Sequence, residues 1–429
     1  MRSIGKTPPA RPKEGLTPGF SDTYSISVVT PLFGGGVKAG EVDREHPVRG
    51  TAIRGHLRFW WRATCGRKFS SSQELYHRES QIWGDTEKAS PVRIWVSDQR
   101  LGSIFSCASF PQGKNFPKFN EDFPGYICFP FQGSRQRGKE KDPSKAALGT
   151  SFSLGINCPA EFKEDLEVAL RAWVCFGALG ARTRRGAGSL FCEKLSPNKD
   201  DDLNDWMKDH FGDYLGTVSA DSDYPTLARG LLLGKGSKEA ISVWKELSSL
   251  YGNFRQGENL GRNKGEGNRP GRSRWPEADS IRRLLRTYSP EHVPDSSKPE
   301  ESFPRAAFGL PIITHFKDER TGDPGDTQLY PKIGRDKKDR MASPLIIKPL
   351  AISEDRAVPM IVVLNAPLPD RIVLEKGRDV WEGGMDSVVD SRAASYPNSP
   401  MAGRSKAGDA LEAFMAYAVK NHDFQEVSR

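Results

Sequence analysis

Arg54, Arg58 and Arg62 are spaced by four, and that spacing needs a chemical explanation. On a helix they stack into one stripe, where like charges at i, i+4 oppose helix formation by roughly 0.2–0.5 kcal/mol per pair. From Arg49 to Lys68 there are six Lys or Arg and no Asp or Glu. A segment that tolerates this repulsion with no acid of its own points to an anionic partner. The planar guanidinium fork suits that task, because it grips phosphate oxygens two at a time. A packing account competes with this one. The arginine stems can lie over Trp60 and Trp61 with their heads in water, or acids from elsewhere in the fold can pair with them.

Gly177 to Ser189 (GALGARTRRGAGS) sets Arg182, Arg184 and Arg185 among four glycines. Glycines such as Gly186 and Gly188 permit a tight turn and let backbone N–H groups approach a phosphate without Cβ obstruction. Three arginines on such a loop make a cradle for a polyanion, with a plain glycine-rich helix exit as the bland alternative. Arg255 to Arg286 is a third basic stretch, with nine Lys or Arg against four Asp or Glu. Arg262, Lys264, Arg269, Arg272 and Arg274 sit there among glycines, beside Trp275. Such a loop can order on nucleic acid with the indole stacked on a base, or stay solvated and mobile.

Signs of catalysis are sparse. Gly230 to Ser237 (GLLLGKGS) approaches a phosphate-binding P-loop but is one residue short and has Gly236 where Ser or Thr belongs, which disfavours nucleotide hydrolysis. No metal-binding or nucleophile-elbow motif is present, so neither a metal nor a cofactor is expected. His46 and His56 lie near or on the basic helix, and either is a conceivable general base for metal-independent RNA cleavage through a 2′-hydroxyl. Asp43 is a weaker candidate for metal-assisted cleavage. A second catalytic group is not apparent, and a binding protein is the expectation.

The elements that position these residues follow from periodicity. Strands are predicted over 23–30, 91–97, 151–156 and 189–195, and helices over 52–64, 72–83 and 159–178. Ile53, Leu57, Trp60, Trp61 and Thr64 form one apolar face of the first helix. The order β-α-β-β-α-β is that of a ferredoxin-like or RRM-like domain, here interrupted by an insertion over 98–149 that is rich in Phe, Pro and Gly. The second half predicts strands over 226–233, 344–352 and 356–364, helices over 238–254, 276–288 and 407–419, and a short C-terminal strand. The expected architecture is therefore α+β: a tail over 1–20, a ferredoxin-like domain over 21–197, and a second, decorated copy over 198–429.

Composition narrows the setting. The 429 residues carry a net charge of +8, with Gly 42 and Pro 31 implying long loops. The most apolar stretch, Ala169 to Leu179, contains Arg171 and falls far short of the roughly 20 residues that span a bilayer. No apolar core follows the basic N-terminus, so no signal peptide is expected. Six scattered cysteines without a C-x-x-C pair read as reduced, buried thiols of a cytoplasmic protein.

Several of these segments together resemble the RAMP superfamily of CRISPR proteins: TPLFGGG from Thr30, HPVRGTAIRGHLRFWWRATCG from His46, ESQIWGD from Glu79, and GALGARTRRGAGSL from Gly177. The Trp-Trp helix, with AAFGLP from Ala306 and RMASPL from Arg340, is similar to the subunit-one family of type III-B (Cmr) effectors. The resemblance implies two ferredoxin-like domains in a ribonucleoprotein with guide RNA, target RNA and other Cmr subunits, near the guide 3′ end and without a cutting role. By motif position it places Arg54, Arg58 and the Arg182–Gly188 loop on RNA. Many relatives carry a Gly-Ser-Ser-type turn before the first helix. This chain has Val-Arg-Gly-Thr-Ala, and Arg49 is expected to take over that contact.

Overall fold

Alternating residues of the segment SDTYSISV turn to opposite faces, and that period sets the N-terminal sheet. A computed structural model of the chain describes residues 19–34, 40–69, 71–216, 224–267, 269–316 and 318–427. The expected tail lies outside the described residues up to residue 18. β1 (Phe20–Val28) runs antiparallel to β3 (Ser151–Cys158) from Phe20↔Cys158 to Ser27↔Ser151. β2 (Arg93–Arg100) pairs with the far side of β3, and β4 (Leu190–Phe191) pairs with β1, so the order is β2-β3-β1-β4. Tyr24, Ile26, Val28, Phe152, Leu154 and Ile156 all turn to one face and are buried. On that face lie α1 (Gly50–Ala63) and α3 (Lys163–Phe176), with α2 (Ser72–Trp83) beside α1. Ser71 caps α2 by accepting from the Glu74 amide, and Gly84 at φ +73° ends it.

The second half repeats this order. β7 (Arg356–Asn365) pairs with β6 (Leu345–Ala351) on one side and β5 (Thr226–Leu233) on the other, and β5 pairs with β8 (Gln425–Glu426). The order is β6-β7-β5-β8, with α4 (Ala240–Gln256) and α5 (Ala410–His422) as its helices. Every residue of β6 is buried. A strand with no polar alternation belongs to a sheet covered on both faces, and this one is. Ile346, Leu350, Met360 and Val362 join α1 and α3 in one core. Leu345, Ile347, Ile361 and Val363 join α4 and α5 in another. The result is four layers: sheet, helices, sheet, helices.

Both halves therefore share a core. Met207 and Phe211 of the helix Leu203–Phe211 also belong to it. The 98–149 insertion does not hang free. Its strands Ser103–Ser106 and Lys145–Leu148 pair with each other, and Leu32–Phe33 completes a three-stranded sheet. Phe123 then packs edge-on to Trp244, and Tyr126 to Tyr251. A five-stranded sheet over 312–384 was not foreseen, and the strand expected over 189–195 shrinks to two residues. All six cysteines are free and buried. Burial pushes the Cys65 and Cys192 thiols up to about 11 and the Cys175 thiol to about 12. No helix among the described residues is long and apolar enough to cross a membrane.

Candidate nucleic-acid interface

The arginine stripe forms as expected, but an acid comes to it from the next helix. Glu79 on α2 is 1% exposed and accepts from two stripe members. Arg58 Nε reaches its Oε1 at 2.7 Å, while Arg62 Nε and Nη2 reach Oε2 and Oε1 at 2.8 and 2.5 Å. Two cations on one carboxylate leave a net positive charge, but Arg58 and Arg62 are held in place by an internal ion pair. Arg54 differs. It donates to the Trp83 carbonyl at the end of α2 and meets no carboxylate among the described residues. Burial and the neighbouring Arg58 push its pKa down.

The glycine loop is docked rather than open. Arg185 is 8% exposed, donating to the Leu345 carbonyl at 2.6 Å and to Ser343 Oγ at 2.9 Å, with its guanidinium over the Tyr251 ring. It cannot serve as a surface phosphate contact. Its own carbonyl accepts from Trp244 Nε1 at 2.6 Å. The amides of Gly186 and Gly188, expected to face phosphate, donate instead to the carbonyls of Thr183 and Pro31. A Cβ on Gly188 would lie 1.9 Å from the Leu179 carbonyl oxygen, and one on Gly186 would lie 2.8 Å from the Trp244 ring. These glycines admit protein, not ligand. Lys348 of β6, fully buried, completes the clamp by donating to the carbonyls of Val174 and Gly177. Arg182, at φ +63°, stays exposed while its Nε donates to the Ile127 carbonyl. Arg184 is half-buried over Phe59 and donates to the Ser343 carbonyl. With no acid beside it, burial lowers its pKa to about 10.

An open basic cleft lies at the start of α1. A cleft of about 440 Å³ is lined by His46, Arg49, Gly50, Thr51, Arg54, Trp95 and Gln99. Arg49 is the N-cap residue, and its side chain does not cap the helix. No acidic residue stands in the first turn, and the positive end of the helix dipole faces the cleft. Asp43 accepts from the amides of Glu45 and His46 and from Arg49 Nη2 at 2.7 Å, which holds its carboxyl below the ordinary range. It shapes the turn and holds Arg49 at the rim. Gln99 of β2 accepts from the Val48 amide at 3.1 Å and ties the turn to the sheet edge.

The remaining candidates separate clearly. His56 Nδ1 accepts from Trp173 Nε1 at 3.2 Å, and its ring also bonds the Ala178 backbone. With both sides of the ring engaged and burial favouring the neutral form, it is a structural histidine. His46 is exposed at the cleft. Trp275 is wholly buried, with Nε1 donating to the Arg255 carbonyl, so it cannot stack on a base. The described part of its basic loop is tied down: Arg272 pairs with the buried Asp279 at 2.6 Å, and Arg274 Nε bonds Asn263. Leu231, Leu232 and Leu233 of the P-loop lookalike are buried in β5. His292, Asp318 and Asp323 cluster as metal ligands might, but Asp323 already accepts from Arg282, the Ser289 amide and His292. It is an ion-pair hub.

Residues 25–191 match the RAMP superfamily. Two curated relatives from Pyrococcus furiosus are similar to parts of the chain. CRISPR system Cmr subunit Cmr1-1 is 32% identical over 165 residues, which is 38% of this chain and 46% of that protein. Cmr subunit Cmr1-2 is 29% identical over 186 residues, 41% of this chain and 97% of that protein. The match thus spans about half of the first relative. Among solved structures, Cmr1 from Pyrococcus furiosus in its apo form superposes with a TM-score of 0.48 at 18% identity, covering 95% of this chain and 99% of that one. A chain of a type III-B Cmr-beta complex bound to cognate target RNA and AMPPnP gives 0.41 at 12%, covering 80% and 94%. Over residues 25–191 the chain is thus similar to the RAMP superfamily, and the curated proteins it resembles are Cmr1 subunits of CRISPR systems.

Proposed function

We propose that the protein is a non-catalytic RNA-binding subunit of a type III-B CRISPR ribonucleoprotein. It is built from two ferredoxin-like domains and works in the cytoplasm near the guide 3′ end, with guide RNA, target RNA and neighbouring Cmr subunits as partners. The carrying observation is the α1 cleft, where a helix start without a side-chain cap or an acid in its first turn opens between Arg49 and Arg54. Backbone phosphate would sit at that mouth. Arg182 and Arg184, which have no carboxylate partner among the described residues, would extend the contact along α1, while Arg58 and Arg62 add the residual charge left by Glu79. Sequence choice would come from guide–target pairing, with the protein reading backbone and shape.

The test is fluorescence anisotropy with a labelled single-stranded RNA across a salt series. Arg54→Ala combined with Arg184→Ala should weaken binding and lower the salt slope by roughly 0.7 per lost phosphate contact. An unchanged slope and affinity would remove these residues from the interface. A second reading, a metal-independent endoribonuclease, rests on His46 alone, exposed beside Arg49 and Arg54. Cleavage of labelled RNA in EDTA that disappears in His46→Ala would establish it. Intact RNA supports the binding role.

A further inference from the structure

The helices cover one face of the N-terminal sheet, and the other face carries a surface the arginines do not use. Register places Ser21, Thr23 and Ser25 of β1 beside Asn157, Gly155 and Ser153 of β3, and those beside Arg93, Trp95 and Ser97 of β2. Nearly every residue on this face is small and polar. Besides Arg93, Trp95 stands out: a large indole on a sheet face, 45% exposed. It lies across Gly155, where a Cβ would fall 1.9–2.4 Å from ring atoms Cε2, Cζ2 and Nε1. Only glycine lets the ring lie that close. One ring face is pressed on the sheet and the other is left to solvent.

Charge on this face is polarised. Arg93 is exposed at one end and has no ion-pair partner among the described residues. The acids sit at the other end beside Arg100, where Glu354 accepts from Ser27 and Asp98 occupies the irregular turn of β2. Asp22 pairs with Lys194 at 2.7 Å. Trp95 also lines the α1 cleft, so the cleft and the open face meet at the edge strand β2.

We propose that the open face is a stacking site for an unpaired nucleobase of single-stranded RNA. The base lies on Trp95, Arg93 contacts an adjacent phosphate, and the strand continues over β2 into the α1 cleft. This rests on the RNA-binding reading above and adds to it a site that engages bases. An indole backed by glycine is rigid and shows its π face to any base, which gives affinity without sequence preference. Surrounding hydroxyls leave room for the sugar.

The experiment uses the full chain with a uridine 12-mer and the same 12-mer stripped of its bases. Trp95→Ala should weaken binding of the 12-mer by about 5- to 150-fold and leave the abasic strand unaffected. Trp95→Tyr should retain most of the affinity. Arg93→Ala should lower the salt slope, which Trp95→Ala should not change. Gly155→Ala, which lifts the ring without removing it, is the second variant should Trp95→Ala fold poorly, and it should also weaken the 12-mer. Equal loss on both strands, or a lower melting temperature at unchanged affinity, overturns the stacking site and leaves Trp95 as a cover for Gly155. Lost binding in Arg54→Ala with full binding in Trp95→Ala rejects this site but keeps the RNA-binding role. If the unaltered chain binds neither strand, both readings fall.

Discussion

Lys348 offers a direct test of how the two halves are joined. Its ammonium is fully buried on β6 and donates at 2.7 Å to Gly177 O and 3.1 Å to Val174 O, where α3 ends and the glycine loop begins. Cations suit the negative end of a helix, but no carboxylate offsets the loss of hydration. Burial therefore pulls the Lys348 pKa from 10.5 to about 7. The sign follows from proton counting. Between those values the unfolded chain holds a proton that the folded chain has shed, so stability rises with pH at up to about 1.4 kcal/mol per unit. The whole span amounts to about 5 kcal/mol, and below pH 7 the contribution is flat.

Lys348→Met keeps length and apolar volume and removes the titration. Its effect at a single pH is not diagnostic, because losing the dehydrated ammonium offsets losing a donor to two carbonyls. The slope is diagnostic. From pH 7 to 8.5 the wild-type chain should gain about 2 kcal/mol relative to the variant. The assay is urea unfolding followed by tryptophan fluorescence, with reductant present, at both pH values. The buried thiols pull the other way, since they ionise more readily once unfolded; apart from Cys175, whose pKa Lys348 itself lowers, they do so equally in both proteins and cancel in the difference. Parallel slopes would refute the reasoning, because they would mean that Lys348 keeps its proton in the fold.

Glu79→Gln should lower stability by roughly 1–3 kcal/mol, a buried-pair loss discounted for the partly exposed arginines, as measured by thermal melting. RNA affinity in that variant should hold or rise, because Arg58 and Arg62 are released. Gly188→Ala should cost more than about 1 kcal/mol, since the residue sits at φ +68° against Leu179 O. Gly55→Ala should stabilise by about 1 kcal/mol, because the site is helical with no heavy atom near the added methyl. A differential melt of the two glycine variants checks both signs at once.

The order of elements was legible because it is written in local periods. TYSISV alternates, the Trp-Trp helix repeats every three to four residues, and β6 and β7 announce themselves as apolar runs. The unforeseen sheet over 312–384 is built from short strands. Its longest, Thr327–Ile333, has only seven residues and includes the polar Gln328 and Lys332, so it lacks the apolar run that marks β6 and β7.

The site was legible in part, for a different reason. Charge spacing along α1 shows where cations stack, but their partner, Glu79, lies on another helix, and only tertiary packing brings it within 2.7 Å of Arg58. The glycine loop shows the same limit. Its composition says that something must approach the backbone closely, and that is correct: a Cβ on Gly188 would strike Leu179 O, and one on Gly186 would strike Trp244. Composition does not say what approaches. Phosphate and a neighbouring β-strand make the same demand on a loop, and here β6 meets it through Lys348, Leu345 O and Ile347 O. Arg185 follows, because a guanidinium can be buried without an acid when carbonyls, a hydroxyl and a tyrosine ring surround it. Arginines left without such a cage, Arg54 and Arg182 above all, are therefore where a polyanion has most to gain.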